Sequence, residues 1–493
     1  MILTILLRTV RPRTLPQNDQ SKDTLGGGAS SPPFSKRERH KGGVNTIRIQ
    51  IPEKAKFIID RLTAAGFEAY AVGGCVRDCI LGRIPQDWDI TTSAIPEQVK
   101  ALFARTVDTG LQHGTVTVLL EREGFEVTTY RIDGKYEDSR HPTEVIFTPN
   151  LEEDLRRRDL TINAMAYNDD RGLVDLYGGM QDITDKVVRC VGNPLERFGE
   201  DALRILRAIR FSAQLGYRIE ENTRDAIRQL APLLKNISAE RIQTELVKLM
   251  TSPHPDYLRE AYVNGVTKVF LPEFDLAMET EQNHPHHCYS VGEHILHALT
   301  EVEPDKLLRL ALLFHDIGKP ATMTRDEQGI THFFGHAQAG ADMTRNILKR
   351  LKFDNDTVNV VCKLVLYHDY GNDLEPDLRL LRRSVNKIGE DVFPGLFQVK
   401  RADILAQSDY KRLEKLERLD KWQQLYRELK EKNQCVSLKT LAVTGSDLID
   451  IGMKPGRELG EVLKKLLELV LEEPERNTKE FLLDQAKEML SGV

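Results

Sequence analysis

The pattern of apolar and polar positions divides the chain into two regimes. Between about residues 45 and 177, short runs alternate at every second residue and are broken by turns: Ala69-Tyr-Ala-Val72, Asp87-Trp-Asp-Ile90, Gly114-Thr-Val-Thr-Val-Leu-Leu120 and Phe125-Glu-Val-Thr-Thr-Tyr-Arg131. A period of two rich in β-branched residues predicts the strands of a sheet. Residues 55–65 and 96–103 follow a helical period instead, so this region is expected to be a mixed α/β domain. After Glu200 the strand pattern nearly disappears. Apolar positions then recur at three and four residues, over 201–215, 239–250, 307–314 and 460–472 among others, which predicts a helical remainder. The expected fold class is α+β, with an α/β head at 45–177, an all-α neck at 178–280, a further helical domain at 281–405 and a helical C-terminal body or tail at 406–493. No fixed-period repeat is present.

Residues 1–44 carry neither period. Leu25-Gly-Gly-Gly28, Ser30-Ser-Pro-Pro33 and the basic run Lys36-Arg-Glu-Arg-His-Lys41 are expected to form a disordered extension. The stretch Ile2-Leu-Thr-Ile-Leu-Leu7 is short for a signal-peptide core and has no basic segment before it, while the arginines give only a faint transit-peptide character.

Composition narrows the class further. A chain of 493 residues exceeds one ordinary core, so two to four domains are expected. Hydrophobic residues at 40% and charged residues at 29% fit a soluble protein, and no apolar run reaches the roughly 18 residues that span a bilayer. A formal charge of −6 argues against non-specific coating of nucleic acid, although a local basic track can still hold a phosphate backbone. Six scattered cysteines without a CxxC pair point to a reducing cytoplasm.

Candidate chemistry begins at Gly73-Gly74, which follows Tyr70-Ala-Val72 and precedes Val76-Arg-Asp-Cys-Ile-Leu81, where a strand is expected to turn into a helix. Such a turn brings backbone N–H groups and the positive helix end toward phosphates, with Arg77 placed to grip them. Alone, a Gly-Gly pair is more often a plain tight turn. Asp87 and Asp89, two apart in a strand-like stretch, share one face. They repel each other unless cations lie between them, which suits Mg²⁺ ions on a nucleotide; an exposed turn with Trp88 packed inward is the alternative. Glu126 is a candidate third carboxylate, or else an ordinary solvent-facing residue of an alternating strand.

Arg156-Arg-Arg-Asp-Leu-Thr-Ile-Asn163 sets three arginines before Asp159 and Asn163. The neighbouring Ile162, Ala164 and Met165 imply partial burial, where charges need partners such as a triphosphate and a ribose; the alternative is a solvated charged face. Glu200-Asp201-x-x-Arg204-x-x-Arg207 reads as one helix with Leu203, Leu206 and Ile209 on another side, so that Asp201 and Arg204 are surface neighbours. An Asp acceptor beside an Arg donor complements the amine and ring-nitrogen edge shared by cytosine and adenine, whereas guanine and uracil present the reverse order. The plainer reading is a helix salt bridge.

In order, Gly73-Gly-x-x-Arg-Asp78, Asp87-x-Asp89, Arg157-Arg-Asp-x-x-Ile-Asn163 and Glu200-Asp-x-x-Arg204 resemble the motifs of class II tRNA nucleotidyltransferases and bacterial poly(A) polymerases, over about residues 69–250. The resemblance implies a head like that of DNA polymerase beta, with Mg²⁺ on Asp87 and Asp89, Arg77 and Arg158 on phosphates, Asp159 on the ribose, and Asp201 with Arg204 on the base. Gly73, Gly74, Asn163 and Arg207 complete the expected nucleotide-binding set, and Glu126 stands beside the catalytic pair. Residues 131–147, with Arg140-His-Pro142, look like the flexible loop such enzymes use when switching from C to A. The implied activity is template-independent addition of CCA to tRNA from CTP and ATP. Poly(A) synthesis, or addition of CC or A alone, is the near alternative.

Further on come His294, the pair His315-Asp316 in Leu312-Leu-Phe-His-Asp-Ile-Gly-Lys319, then His336, His368 and Asp403. Adjacent His and Asp can ligate one or two divalent metals while other helices supply more imidazoles, although a lone pair is far more often an ordinary helix end. The order resembles the HD-domain phosphohydrolases. This implies a divalent transition metal held by these six residues and hydrolysis of phosphate esters, such as 2′-phosphate or 2′,3′-cyclic phosphate ends of damaged RNA. His284, His286 and His287 are read as a polar loop. A rival of another class makes the HD domain the enzyme and the head a regulatory nucleotide-binding module; the intact Asp87 and Asp89 speak against it. Expected partners are tRNA, CTP and ATP, with no membrane, and the helical tail is expected to grip the tRNA elbow.

Overall fold

The computed structural model describes residues 37–38, 46–134, 145–372 and 374–491. Most of the N-terminal extension and the Arg140-His-Pro142 part of the proposed switching loop lie outside the described residues.

In the head, helix α1 (Glu53–Ala64) turns Ala55, Ile58, Ile59 and Leu62 inward, the spacing of one helical face. It packs against a seven-stranded sheet made of β1 (Ala69–Val72), β2 (Ile90–Thr92), β3 (Thr106–Gly110), β4 (Thr115–Leu120), β5 (Glu123–Thr129), β6 (Met165–Asn168) and β7 (Gly172–Asp175), in the order β7-β6-β1-β2-β5-β4-β3. Neighbours are antiparallel except β2 and β5, which run parallel with Ile90 opposite Val127. The period of two is visible in β4, where Val116 and Val118 are buried and the alternate threonines are partly exposed.

Two sequence expectations need correction here. Asp87-Trp-Asp does not form a strand; the strand begins at Ile90, and the two aspartates lie in the extended segment that leads into it. Upstream the chain turns at Leu81-Gly82, and Pro85 has no N–H to offer a ladder. The run expected over 125–131 also divides at Tyr130, because Arg131–Asp133 leaves the main sheet to pair with Val145–Phe147.

The remainder is helical apart from two-residue bridges. Helix α2 (Gly74–Ile80) follows β1, and α3 (Leu151–Arg156) starts where the Asn150 side chain accepts the Glu152 N–H. In the neck, α4 (Pro194–Glu200) and α5 (Leu203–Leu215) replace the single helix expected through Glu200 and Arg207. Asp201 is extended, with φ −136° and ψ 103°, and its carboxylate accepts the Leu203 N–H at 3.0 Å. A side chain that caps a new helix cannot sit in the interior of the old one. Helix α6 (Ala239–Met250) packs on α5.

Beyond the neck, α7 (Val291–Thr300), α8 (Lys306–Phe314), α9 (His336–Arg350), α10 (Asn355–Tyr367), α11 (Leu378–Ile388), α12 (Phe393–Ala406) and α13 (Arg412–Glu431) form a bundle. Four of them begin at capping side chains: Ser290, Asp305, Asp354 and Asp377. One continuous hydrophobic core joins head, neck and bundle, and a separate smaller core around Leu448, Leu466, Val470 and Leu482 serves the C-terminal helices. No helix among the described residues is long and apolar enough to cross a membrane.

Gly318 marks the tightest approach in the bundle. A β-carbon there would lie 2.3 Å from the His336 carbonyl oxygen and 2.5 Å from the Gly340 nitrogen, both backbone atoms that cannot swing away. Gly318→Ala is therefore expected to cost about 1–3 kcal/mol through forced displacement of α9. Urea denaturation checks this, and an unchanged midpoint would contradict the close contact.

Candidate functional site

The Gly73 turn does what its position between β1 and α2 requires. Its φ of 84° is left-handed, and a β-carbon on it would stand 3.3 Å from an Arg158 guanidinium nitrogen. Glycine thus admits Arg158 to the mouth of the turn. That arginine is aimed from behind by Asp154, which is fully buried and accepts from Arg157 at 2.7 and 2.9 Å, from Arg158 at 3.2 Å and from Thr91 at 3.0 Å. Burial alone would raise the Asp154 carboxyl, but the two guanidinium groups overcome it and hold the group below its ordinary value.

Asp89 lies beside this turn, its backbone carbonyl accepting the Val72 N–H at 3.0 Å, and Asp87 and Glu126 are near enough to act on its charge. The parallel pairing of Ile90 with Val127 sets the preceding residues, Asp89 and Glu126, side by side. Asp89 reaches solvent, yet desolvation raises its carboxyl above the ordinary value; Arg158 opposes the rise, while Glu126 and Asp87 add to it.

Behind them runs a buried polar chain. Arg77 donates to Asn163 Oδ1 at 2.5 Å and pairs with Asp78 at 2.9 Å, and Asn163 donates to Asp159 at 3.4 Å. Asp159 in turn accepts from Arg207 of α5 at 2.6 Å and from the Leu160 N–H at 2.9 Å. Burial would raise the Asp159 carboxyl, but Arg207 outweighs it and brings the group down to about 2. Phe211 supplies a shelf for three guanidinium groups, with Arg77 at 4.8 Å, Arg207 at 5.7 Å and Arg210 at 3.7 Å from its ring centre. Arg77 is thus more enclosed than a residue of an exposed first helical turn, and Phe211 gave no signal in the sequence beyond its apolar position.

The Asp201 and Arg204 side chains are each held by a different partner. Asp201 pairs with Arg241 of α6 at 2.7 and 3.3 Å, and Arg204 donates to Glu200 at 2.7 Å and to the carbonyls of Arg197 and Arg157 at 3.0 and 2.9 Å. The expectation of one surface-exposed helix bearing both residues is therefore replaced by a helix break that each flanks. Arg241 lies forty residues further on, and only the packing of α6 on α5 brings it in.

The second constellation assembles in full. His294 Nε2 lies 3.1 Å from His315 Nε2 and 3.0 Å from Asp403, and His336 Nε2 lies 3.2 Å from His368 Nε2. Asp316 stands between the two imidazole pairs, 3.4–3.6 Å from all four. Each histidine turns its Nδ1 to a backbone carbonyl, of Ala406, Leu312, Phe333 and Val365 respectively, at 2.7–3.3 Å. A carbonyl only accepts, so each Nδ1 carries a proton and each Nε2 is the nitrogen turned inward, the orientation that metal-bound histidines adopt. The donors form two groups that could hold a metal ion, His294, His315 and Asp316 on one side and Asp316, His336 and His368 on the other. Asp316 Oδ2 is buried without hydrogen-bonding geometry although Lys319 Nζ stands 2.7 Å away.

His287 lies in the loop before α7, as expected, and is also a neighbour of this cluster. Its ring meets His294 edge-on at 5.6 Å, and burial lowers its pKa to about 2, so it stays neutral. His284 and His286 stack on each other away from the inner donors.

Comparison with known proteins follows the same division. The Poly A polymerase head domain family matches residues 69–189, an RNA and SrmB-binding site of polymerase A matches 216–278, and a tRNA nucleotidyltransferase domain 2 family matches 321–486. The CCA-adding enzyme of Lactobacillus helveticus is 37% identical over 85% of this chain and 92% of its own length. That of Enterococcus faecalis is 35% identical over 91% and 98%. The crystal structure of the Bacillus stearothermophilus CCA-adding enzyme in complex with CTP aligns with a TM-score of 0.65 and 28% identity, covering 90% of this chain and 99% of that one.

Arg207→Met strands the Asp159 carboxylate without its cation. A loss of about 1–3 kcal/mol is expected in urea denaturation, with part recovered when Asp159→Asn is added. Equal losses in the single and double variants would show that Asp159 does not depend on Arg207.

Proposed function

We propose, from the premise that this chain belongs to the CCA-adding enzyme family, that it adds C and A residues from CTP and ATP to the 3′ end of tRNA without a nucleic-acid template. The observation that supports this most is the placing of Asp89, with Asp87 and Glu126 acting on its charge, near Arg158 at the Gly73 turn. The carboxylates fit Mg²⁺, because Asp87 and Glu126 add to the burial that disfavours the charge of Asp89, and a cation would relieve it. When bound, Mg²⁺ lowers the pKa of the attacking hydroxyl and neutralises charge on the leaving pyrophosphate.

The protein's own groups bind and orient. Arg158 and Arg77 meet the triphosphate, and Asp159 the ribose. The tRNA 3′-oxygen attacks the α-phosphorus, one P–O bond forming as the bond to the β-phosphate oxygen breaks and pyrophosphate leaves. Asp201 accepts from the base amine and Arg204 donates to the ring nitrogen. A carboxylate offers about four acceptor positions, of which Arg241 and the Leu203 N–H take three in this structure, so one remains for a base. The six free cysteines fit the reducing environment of the cytoplasm.

Asp87→Ala and Asp89→Ala are each expected to abolish incorporation of both CTP and ATP while circular dichroism stays unchanged; comparable activity in either variant would end the assignment. Arg204→Ala is expected to weaken CTP and ATP together and narrow their lead over UTP and GTP about tenfold to a hundredfold. The measurement is kcat/KM for all four nucleotides on one truncated tRNA, and the product length separates CCA addition from partial addition and from poly(A) synthesis. If Asp201→Ala and Arg204→Ala both keep the parental preference, the pair plays no part in base choice.

A second activity is supported by the inward Nε2 atoms of four histidines around Asp316. The donor set fits a divalent transition metal at one or both triads, with Asp403 against His294. We read the cluster as a phosphohydrolase centre acting on phosphate ends of RNA. His315→Ala with Asp316→Ala is expected to erase metal-dependent phosphohydrolysis and spare nucleotide addition; loss of both in a folded chain would argue for one composite site.

A further inference from the structure

Three arginines crowd around one phenyl ring where the neck meets the head. The guanidinium carbons of Arg77, Arg207 and Arg210 stand 4.8, 5.7 and 3.7 Å from the centre of the Phe211 ring. Arg207 and Phe211, four residues apart on α5, share a face of that helix, whereas Arg77 comes from α2 of the head. Each arginine also has a carboxylate: Asp78 for Arg77 at 2.9 Å, Asp159 for Arg207 at 2.6 Å and Glu245 for Arg210 at 2.6 Å. Like charges gathered in this way oppose one another. Burial holds the Arg210 pKa below its ordinary value, Glu245 resists the fall, and Arg207 adds to it.

A carboxylate and an aromatic ring hold a guanidinium differently. A carboxylate takes N–H groups and cancels the charge. A ring attracts the cation through its negative face, brings no counter-charge, and leaves the N–H groups for other partners. Arg77 needs such a hold, because it is the arginine of the three that stands at the turn: a β-carbon on Gly74 would lie 3.8 Å from its Nη2. Its Nε and Nη2 reach Asp78 and its Nη1 reaches Asn163. A second carboxylate in place of the ring would fix it equally well and leave less charge for a phosphate. An aliphatic side chain of similar size would fill the space and attract none of the three.

We propose that Phe211 is a positioning residue for nucleotide binding: the negative face of its ring, rather than its bulk, holds Arg77 at the Gly73 turn with its charge available to a triphosphate, and steadies Arg207 on Asp159. The proposal rests on the reading of this turn as the triphosphate site and adds a neck residue to it. The ring acts through the arginines and touches no reacting atom. Its removal therefore weakens the hold on the nucleotide and leaves the chemical step alone.

Fluorine withdraws negative charge from the face of a phenyl ring while its shape stays nearly the same, so it separates attraction from packing. Phenylalanine carrying one, two or three ring fluorines is placed at position 211 of the full-length chain, with Phe211→Leu as the variant that lacks a ring. KM for CTP and ATP on a tRNA without its 3′ end is expected to rise step by step, reaching about threefold to tenfold at the trifluorinated ring. The value of kcat should stay within about twofold, and the thermal midpoint within a few degrees. Equilibrium dialysis of CTP with Mg²⁺ and no RNA reads binding without turnover and should show the same steps. A flat series in both measurements, a rise that tracks a falling midpoint, or a loss in kcat alone would overturn the proposal, since the ring would then act by packing or on a later step. Stepwise loss of CTP binding in chains that incorporate no nucleotide keeps Phe211 in this role and ends the nucleotidyltransferase reading. Incorporation throughout the series with CTP binding unchanged keeps that reading and ends the role of Phe211. A parent chain that binds no CTP ends both.

Discussion

A carboxylate taken out of water must be met by a cation, and the pairing of Asp159 with Arg207 meets that demand across the seam between head and neck. Asp159 belongs to the head, just after the three arginines, while Arg207 projects from α5. Because Asp159 also accepts from Asn163, which holds Arg77, the same contact fixes the arginine beside the Gly73 turn. Phe211 closes the arrangement from the neck side by carrying Arg77 and Arg207 on one ring. The head therefore cannot set Arg77 independently of the neck helix that carries Arg207 and Phe211.

The two candidate sites solve the problem of concentrated charge differently. In the head, Asp154 is fully buried and receives two arginines, so that Arg158 is aimed at the turn by a pair that is itself complete. Asp87 and Glu126 instead act against the charge of Asp89, which Arg158 offsets only in part. In the bundle, Asp316 serves both imidazole pairs and four backbone carbonyls fix the tautomers. The Gly318 backbone, close against α9, holds the distance between those pairs. In both places the polar side chains are held by a frame of buried hydrogen bonds, so their positions are set before anything binds.

Much of this was legible in the sequence because it is local. Gly73-Gly74 at a strand end specifies a tight turn through backbone sterics, and Ala69-Tyr-Ala-Val72 and residues 239–250 lie where their periods placed them. The six residues from His294 to Asp403 could be ordered along the chain by their chemistry. The errors were also local in origin. Asp201 was placed inside a helix because apolar spacing continues across it, and spacing does not register that its carboxylate caps the next helix. Asp87-Trp-Asp has the alternation of a strand, but alternation does not reveal whether a partner strand continues alongside.

What the sequence by itself determined is therefore the inventory of reactive side chains, the α+β division and the turns that adjacent residues enforce. Only the tertiary structure decided which charges are paired. Arg241 reaches Asp201 and Arg207 reaches Asp159 over separations of forty residues or more, and Glu126 stands beside Asp89 through the register of two parallel strands. The reason is physical: propensity and periodicity act over a few residues, whereas the strength of an ion pair depends on distance and desolvation, which exist only after the chain has packed.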